Sequence, residues 1–152
     1  MNKTTIHYLL LICFALSSVI TTAQKKVDFN YITNNWIQGK ILDDGTIAHA
    51  DQGRGGWDNL QINANHTVTF ATGFMCGFGS SKSGKWSINK KKATITFQYT
   101  QKKEFQKRNE VESIKETKTY KIVRLTAKDI MLEPIPNKYH DQIAFVVESN
   151  QE

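Results

Sequence analysis

Cysteine is close to absent: the 152-residue chain has two, Cys13 and Cys76. Cys13 falls inside an N-terminal apolar stretch that reads as a removable secretory signal, so the exported product keeps one thiol and an internal disulfide is excluded. Proline is equally scarce. Pro134 and Pro136 stand together before the last apolar segment, where a missing amide donor does not break a sheet ladder, and they mark a loop. No apolar run reaches the ~20 residues that a membrane-spanning helix needs. Internal repeats and low-complexity tracts are missing too, which removes solenoid, fibrous and disordered classes. Acidic residues are fewer than basic ones, 14 against 20, yet the basic excess is mixed along the chain and forms no block.

What is present begins with the parts of an export signal in order. Lys3 supplies the positive region, Tyr8 to Ile20 the apolar run, and Thr21-Thr22-Ala23 the small residues that suit cleavage before Gln24. The expected product is residues 24–152, secreted or periplasmic, with no stable membrane anchor after cleavage. A lipid on Cys13 would want small residues where Leu11 and Ile12 stand. With 39% apolar and 11% aromatic residues, the remainder is one domain around one core.

Eight segments alternate apolar and polar residues and are rich in β-branched and aromatic types: 35–42 (Trp36, Ile37, Ile41), 57–63 (Leu60, Ile62), 67–75 (Val68, Phe70, Phe74), 82–89 (Trp86, Ile88), 93–105 (Ile95, Phe97, Tyr99), 113–125 (Tyr120, Ile122), 129–133 (Ile130, Leu132) and 142–148 (Ile143, Phe145, Val147). Turn residues separate them at Asp43-Asp44-Gly45, Asn63-Ala64-Asn65-His66 and Asn89-Lys90-Lys91. The stretch 101–117 is polar; Glu104 and Arg108 have helical spacing, but no apolar stripe accompanies them. A long solvated hairpin is expected there, with a short helix as the alternative. Eight sequential strands on short turns leave two sheet edges unless the sheet closes on itself. The expected fold is all-β, an eight-stranded antiparallel up-and-down barrel, whose interior side chains either fill or line around one small ligand.

Four stretches carry a family resemblance: Trp36-Ile-Gln-Gly39-Lys40, Leu60 to Phe70, Gly84-Lys85-Trp86-Ser-Ile88, and Tyr120 through Leu125-Thr126 to Leu132. In this order they resemble the bacterial lipocalin-like domains over residues 33–148. The resemblance implies a lipocalin-like barrel with a pocket for an apolar or amphipathic molecule, and no particular ligand.

Several chemistries fail on inspection. Gly79-Ser-Ser-Lys-Ser-Gly84-Lys85 has the spacing of a phosphate-binding loop, but Trp86 stands where Ser or Thr is needed and a strand follows in place of a helix. A flexible connection over 77–84 is the plainer reading. His49, His66, His140 and Cys76 are too dispersed for a metal site, and Cys76 reads as a small apolar residue at a strand end, not a nucleophile. Asp43 and Asp44 are adjacent turn residues, so no separated carboxylate pair is offered. Lys102, Lys103, Lys107 and Arg108 are mixed with Glu104, Glu110 and Glu112, which suits a solvated hairpin better than nucleic acid. Asn65-His66-Thr67 is a glycosylation sequon and equally a turn. The chain is expected to be no enzyme and to need no cofactor or metal.

An inward aromatic set remains: Phe70, Phe74, Trp86, Phe97, Tyr99, Tyr120 and Phe145, with the Tyr99 and Tyr120 hydroxyls and Arg124 as polar contacts. Plain core is one reading of it, since small barrels often fill themselves. The functional expectation is a pocket for a small hydrophobic or amphipathic molecule. The alternative is an envelope protein-interaction module of inhibitor or immunity type, with a filled barrel and apolar residues such as Met75 and Phe78 turned outward.

Overall fold

The computed structural model describes residues 27–50, 56–74, 77–105, 110–137 and 142–147. A short 3-10 turn, Phe29–Tyr31, leads into nine strands: β1 (Asn34–Ile41), β2 (Ile47–His49), β3 (Gly56–Ile62), β4 (Thr67–Phe74), β5 (Gly79–Asn89), β6 (Thr94–Glu104), β7 (Val111–Leu125), β8 (Asp129–Ile135) and β9 (Ile143–Val147). Eight of them pair antiparallel in the order β1-β3-β4-β5-β6-β7-β8-β9, and β9 pairs back onto β1. The ring is therefore a closed up-and-down barrel, which removes the exposed ladder that an open sheet presents. β2 is additional and pairs with the end of β1.

All eight segments read from alternation are barrel strands. β2 was not expected, because three residues give no period to read. β5 begins at Gly79, not at 82: Gly79–Ser81 look like loop by composition, but β4 and β6 pair with this stretch from both sides (Gly73↔Gly79, Ser80↔Glu104). The phosphate-loop spacing is accordingly laid out as extended strand. The polar stretch after Gln101 is a hairpin, paired out to Lys103↔Val111, with residues 106–109 outside the described set.

Side chains of the inward rows form one cluster in which Trp36, Val68, Ile95, Ile130 and Leu132 are wholly buried. Each such side chain contributes roughly 1.5–3 kcal/mol relative to remaining exposed. The end at which β1 begins is sealed. Val27, Phe29 and Ile32 pack under it, the Trp36 indole N–H donates to the Ile32 carbonyl at 3.2 Å, and the Trp86 indole N–H donates to the Asn63 carbonyl at 2.9 Å. His66 stacks over Trp86 with ring centroids 4.8 Å apart.

Register shifts at Ser83/Gly84, Tyr99/Gln101 and Ile122/Arg124 bend the long strands β5 to β8 around the lumen. Gly84 is required at the first of them, since a Cβ there would run into the Gln98 carbonyl.

Candidate functional site

Above the sealed floor the lumen is not filled. A cavity of about 460 Å³ occupies the other half of the barrel, within the range of small-molecule pockets. Its apolar wall is Leu60, Phe70, Phe97, Leu132, Ile143 and Phe145; its polar wall is Gln38, Asp58, Lys82, Tyr99, Lys118, Tyr120 and Gln142. Alternation explains both sets. On β7 the parity that turns Tyr120 inward also turns Lys118 and Glu116 inward, and on β5 Lys82 shares the face of Trp86. Nearer the floor these inward positions carry apolar residues; nearer the mouth they carry charge.

The charged layer is organised around Glu116. Lys82 Nζ donates to Glu116 Oε2 at 2.5 Å, and Lys118 Nζ lies 3.3 Å from Oε1. The Lys82 hydrogen bond holds the Glu116 carboxyl below its ordinary range. Tyr99 is 4% exposed, and burial raises its phenol well above the usual value; burial, with help from Glu116, raises Tyr120 as well. Both phenols are therefore neutral donors at ordinary pH. Their rings pack on Phe97 at centroid distances of 6.1 and 5.7 Å. Neither hydroxyl has a hydrogen-bond partner among the described residues. Further toward the tip of β6, Lys102 pairs with Glu104 at 2.9 Å.

Of the residues singled out from sequence, Phe70, Phe97, Tyr99, Tyr120 and Phe145 line the cavity. Three do not. Trp86 faces inward but lies below the cavity, in the floor. Phe74 ends β4, so its ring projects past the mouth and is 52% exposed. Arg124 is outside the lumen altogether: the shift at Ile122/Arg124 reverses the alternation, so Ile122 and Leu125 both face the core. Its guanidinium instead donates to Asp129 Oδ2 at 2.7 Å and to the Gly45 carbonyl at 3.2 Å, tying the β1–β2 turn to β7 and β8. Its Nε is buried with no partner among the described residues. That turn covers an exterior patch. At Gly39 a Cβ would come within 2.6 Å of Ile47, and Met131 and Ala144, in the same cross-strand row as Gly39 and Arg124, are buried apart from the main core.

Sequence reading missed Gln38, Asp58, Lys82, Glu116, Lys118 and Gln142, because a polar residue in a strand is taken as solvent-facing by default. The available clue was parity with Trp86 and Tyr120. Cys76, Met75, His140, Lys107 and Arg108 lie outside the described residues. Among the described residues, no group of three or more His, Cys, Asp or Glu is placed to hold a metal ion, and no helix is long and apolar enough to cross a membrane. The Asn65 side chain of the sequon accepts hydrogen bonds from the Thr67 amide and hydroxyl, an exposed turn at the sealed end. Compared with family models, curated proteins and solved structures, the chain finds no match in any of the three.

Proposed function

We propose that this is an exported, non-enzymatic, lipocalin-like protein that binds a small amphipathic molecule at the open end of its barrel. The observation that supports it is the cavity itself: an apolar wall of Phe70, Phe97, Leu132 and Phe145 ending in a layer of polar side chains. An apolar tail entering there removes hydrocarbon from water at about 25 cal/mol per Å², while a polar head stays among groups that can bond it. No cofactor, metal or nucleic acid takes part in this reading. Calorimetric titration of single-chain amphiphiles into the exported protein tests it. Saturable one-site binding is expected, and a flat response across chain lengths contradicts it. Tryptophan emission is the poorer probe, since Trp36 and Trp86 lie in the floor, and Trp57 stacks on Phe105 at 6.3 Å. Export is tested by intact mass, with a chain starting at or near Gln24 expected and one still carrying Met1 to Ala23 contradicting it.

One observation favours the second reading, an envelope protein partner. Phe74, Phe78, Phe105 and Val111 are 42–56% exposed and sit at strand ends around the same open end. A partner capping the mouth would cover them. Phe78→Ser together with Phe105→Ser would then abolish partner capture while leaving amphiphile binding intact.

A further inference from the structure

The cavity carries opposite charges on opposite sides. Around the closed ring, three strands separate β3 from β7 in either direction, so these two strands face each other across the lumen. β3 contributes Asp58, half-buried in the cavity wall, with no hydrogen bond or ion pair among the described residues. β5 and β7 contribute Lys82 and Lys118, which share the single carboxylate of Glu116. That side retains one unmatched positive charge, and Lys118 is the looser partner at 3.3 Å. The two unbonded phenols, Tyr99 on β6 and Tyr120 on β7, stand on the Lys118 side and add neutral donors.

Resting on the proposed binding function, we infer that the cavity selects zwitterionic amphiphiles. The apolar tail lies on Phe70, Phe97 and Phe145, a cationic group faces Asp58, and an acidic group faces Lys118 and the two phenols. Desolvation has to be compensated on both walls. A neutral head displaces water from Asp58 and Lys118 and returns nothing to either. A lone acid satisfies Lys118 but leaves Asp58 unpaired and brings a second anion near Glu116. A lone amine satisfies Asp58 and faces Lys118 with like charge, which is how a binding site rejects the wrong partner as well as accepting the right one. Only a head with both charges meets both walls.

Four ligands built on a ten-carbon chain separate these cases by calorimetry, each kept monomeric: N-decyl-N,N-dimethylglycine, decanoate, decylamine and decanol. The zwitterion should bind about three- to tenfold more tightly than either singly charged compound, the size expected for partly solvated ion pairs. Asp58→Asn should bring the zwitterion down to the level of decanoate. Lys118→Gln should bring it down to the level of decylamine, with unchanged circular dichroism in both variants. Equal binding of decanol or decanoate to the wild-type protein overturns the selectivity and leaves the binding function standing, and so does a zwitterion preference that survives both substitutions. Absence of binding by all four overturns the cavity reading and this inference with it.

Discussion

At the sealed end of the barrel two indoles, Trp36 and Trp86, are buried with their N–H groups bonded to backbone carbonyls, whereas at the open end Asp58, Lys82 and Lys118 face a cavity. Both ends are made from the same alternating strands. What differs is whether the inward position carries a ring that fills space or a chain that reaches water. The sealed end is where the fold is stabilised, and the open end is where polar groups are left available. The outer surfaces differ as well: the sealed-end turns carry exposed Lys90, Lys91 and Lys92 between β5 and β6, and exposed Lys128 between β7 and β8. Lys90 lies over the Phe29 ring at 5.9 Å.

Removing a floor residue should have the largest effect. Trp36→Ala leaves a void in the sealed end and frees the Ile32 carbonyl, and is expected to cost about 3–5 kcal/mol in urea unfolding. Phe70→Ala, whose ring already borders empty space, should cost clearly less. Equal losses would erase the distinction between the two ends. Next in size is Arg124→Met. It strips the charged partner from Asp129, which is 6% exposed and keeps only the Thr126 hydroxyl on its other oxygen, and should cost about 1.5–3 kcal/mol. Amphiphile binding should be unaffected, because the guanidinium is outside the lumen.

Smaller effects follow from pH. The Tyr99 phenol is raised in the folded protein, so its contribution to stability is complete below the unfolded value of about 10 and is lost as pH rises above it, by up to about 1.4 kcal/mol per pH unit. Tyr99→Phe should flatten the alkaline decline seen in thermal melts. Glu116 has the opposite sign: its carboxyl is lowered, so its contribution is present above the ordinary carboxylate range and fades as pH falls through it. With the pair partly solvated, Glu116→Gln should change neutral stability by no more than about 1 kcal/mol and remove this part of the acid dependence.

Strand identity was legible because Leu60 and Ile62, and Phe97 and Tyr99, alternate cleanly with polar neighbours. Face was legible wherever that alternation runs unbroken. Level within the barrel was not: Trp86 and Phe70 share a face, yet one is floor and the other cavity wall, because height depends on cross-strand register. Arg124 shows the second limit. Counting by twos from Tyr120 and Ile122 turns it inward, and only the bulge, invisible in composition, turns it out. The charged wall shows the third. Lys82, Glu116 and Lys118 read as solvated residues until the cavity provides a reason for polar groups to face in.

The central claim is that the open half of the lumen, between the indole floor and the charged layer, is a binding site. Ile143, half-buried on β9 and part of the cavity wall, allows it to be closed from inside. Calorimetric titration of N-decyl-N,N-dimethylglycine into the wild-type protein and into Ile143→Trp, with thermal melts of both, is the direct measurement. Saturable one-site binding to the wild-type protein is expected, with at least about tenfold weaker binding to the variant and similar melting temperatures. A wild-type protein that gives no heat of binding, or a variant that binds equally well, would contradict it.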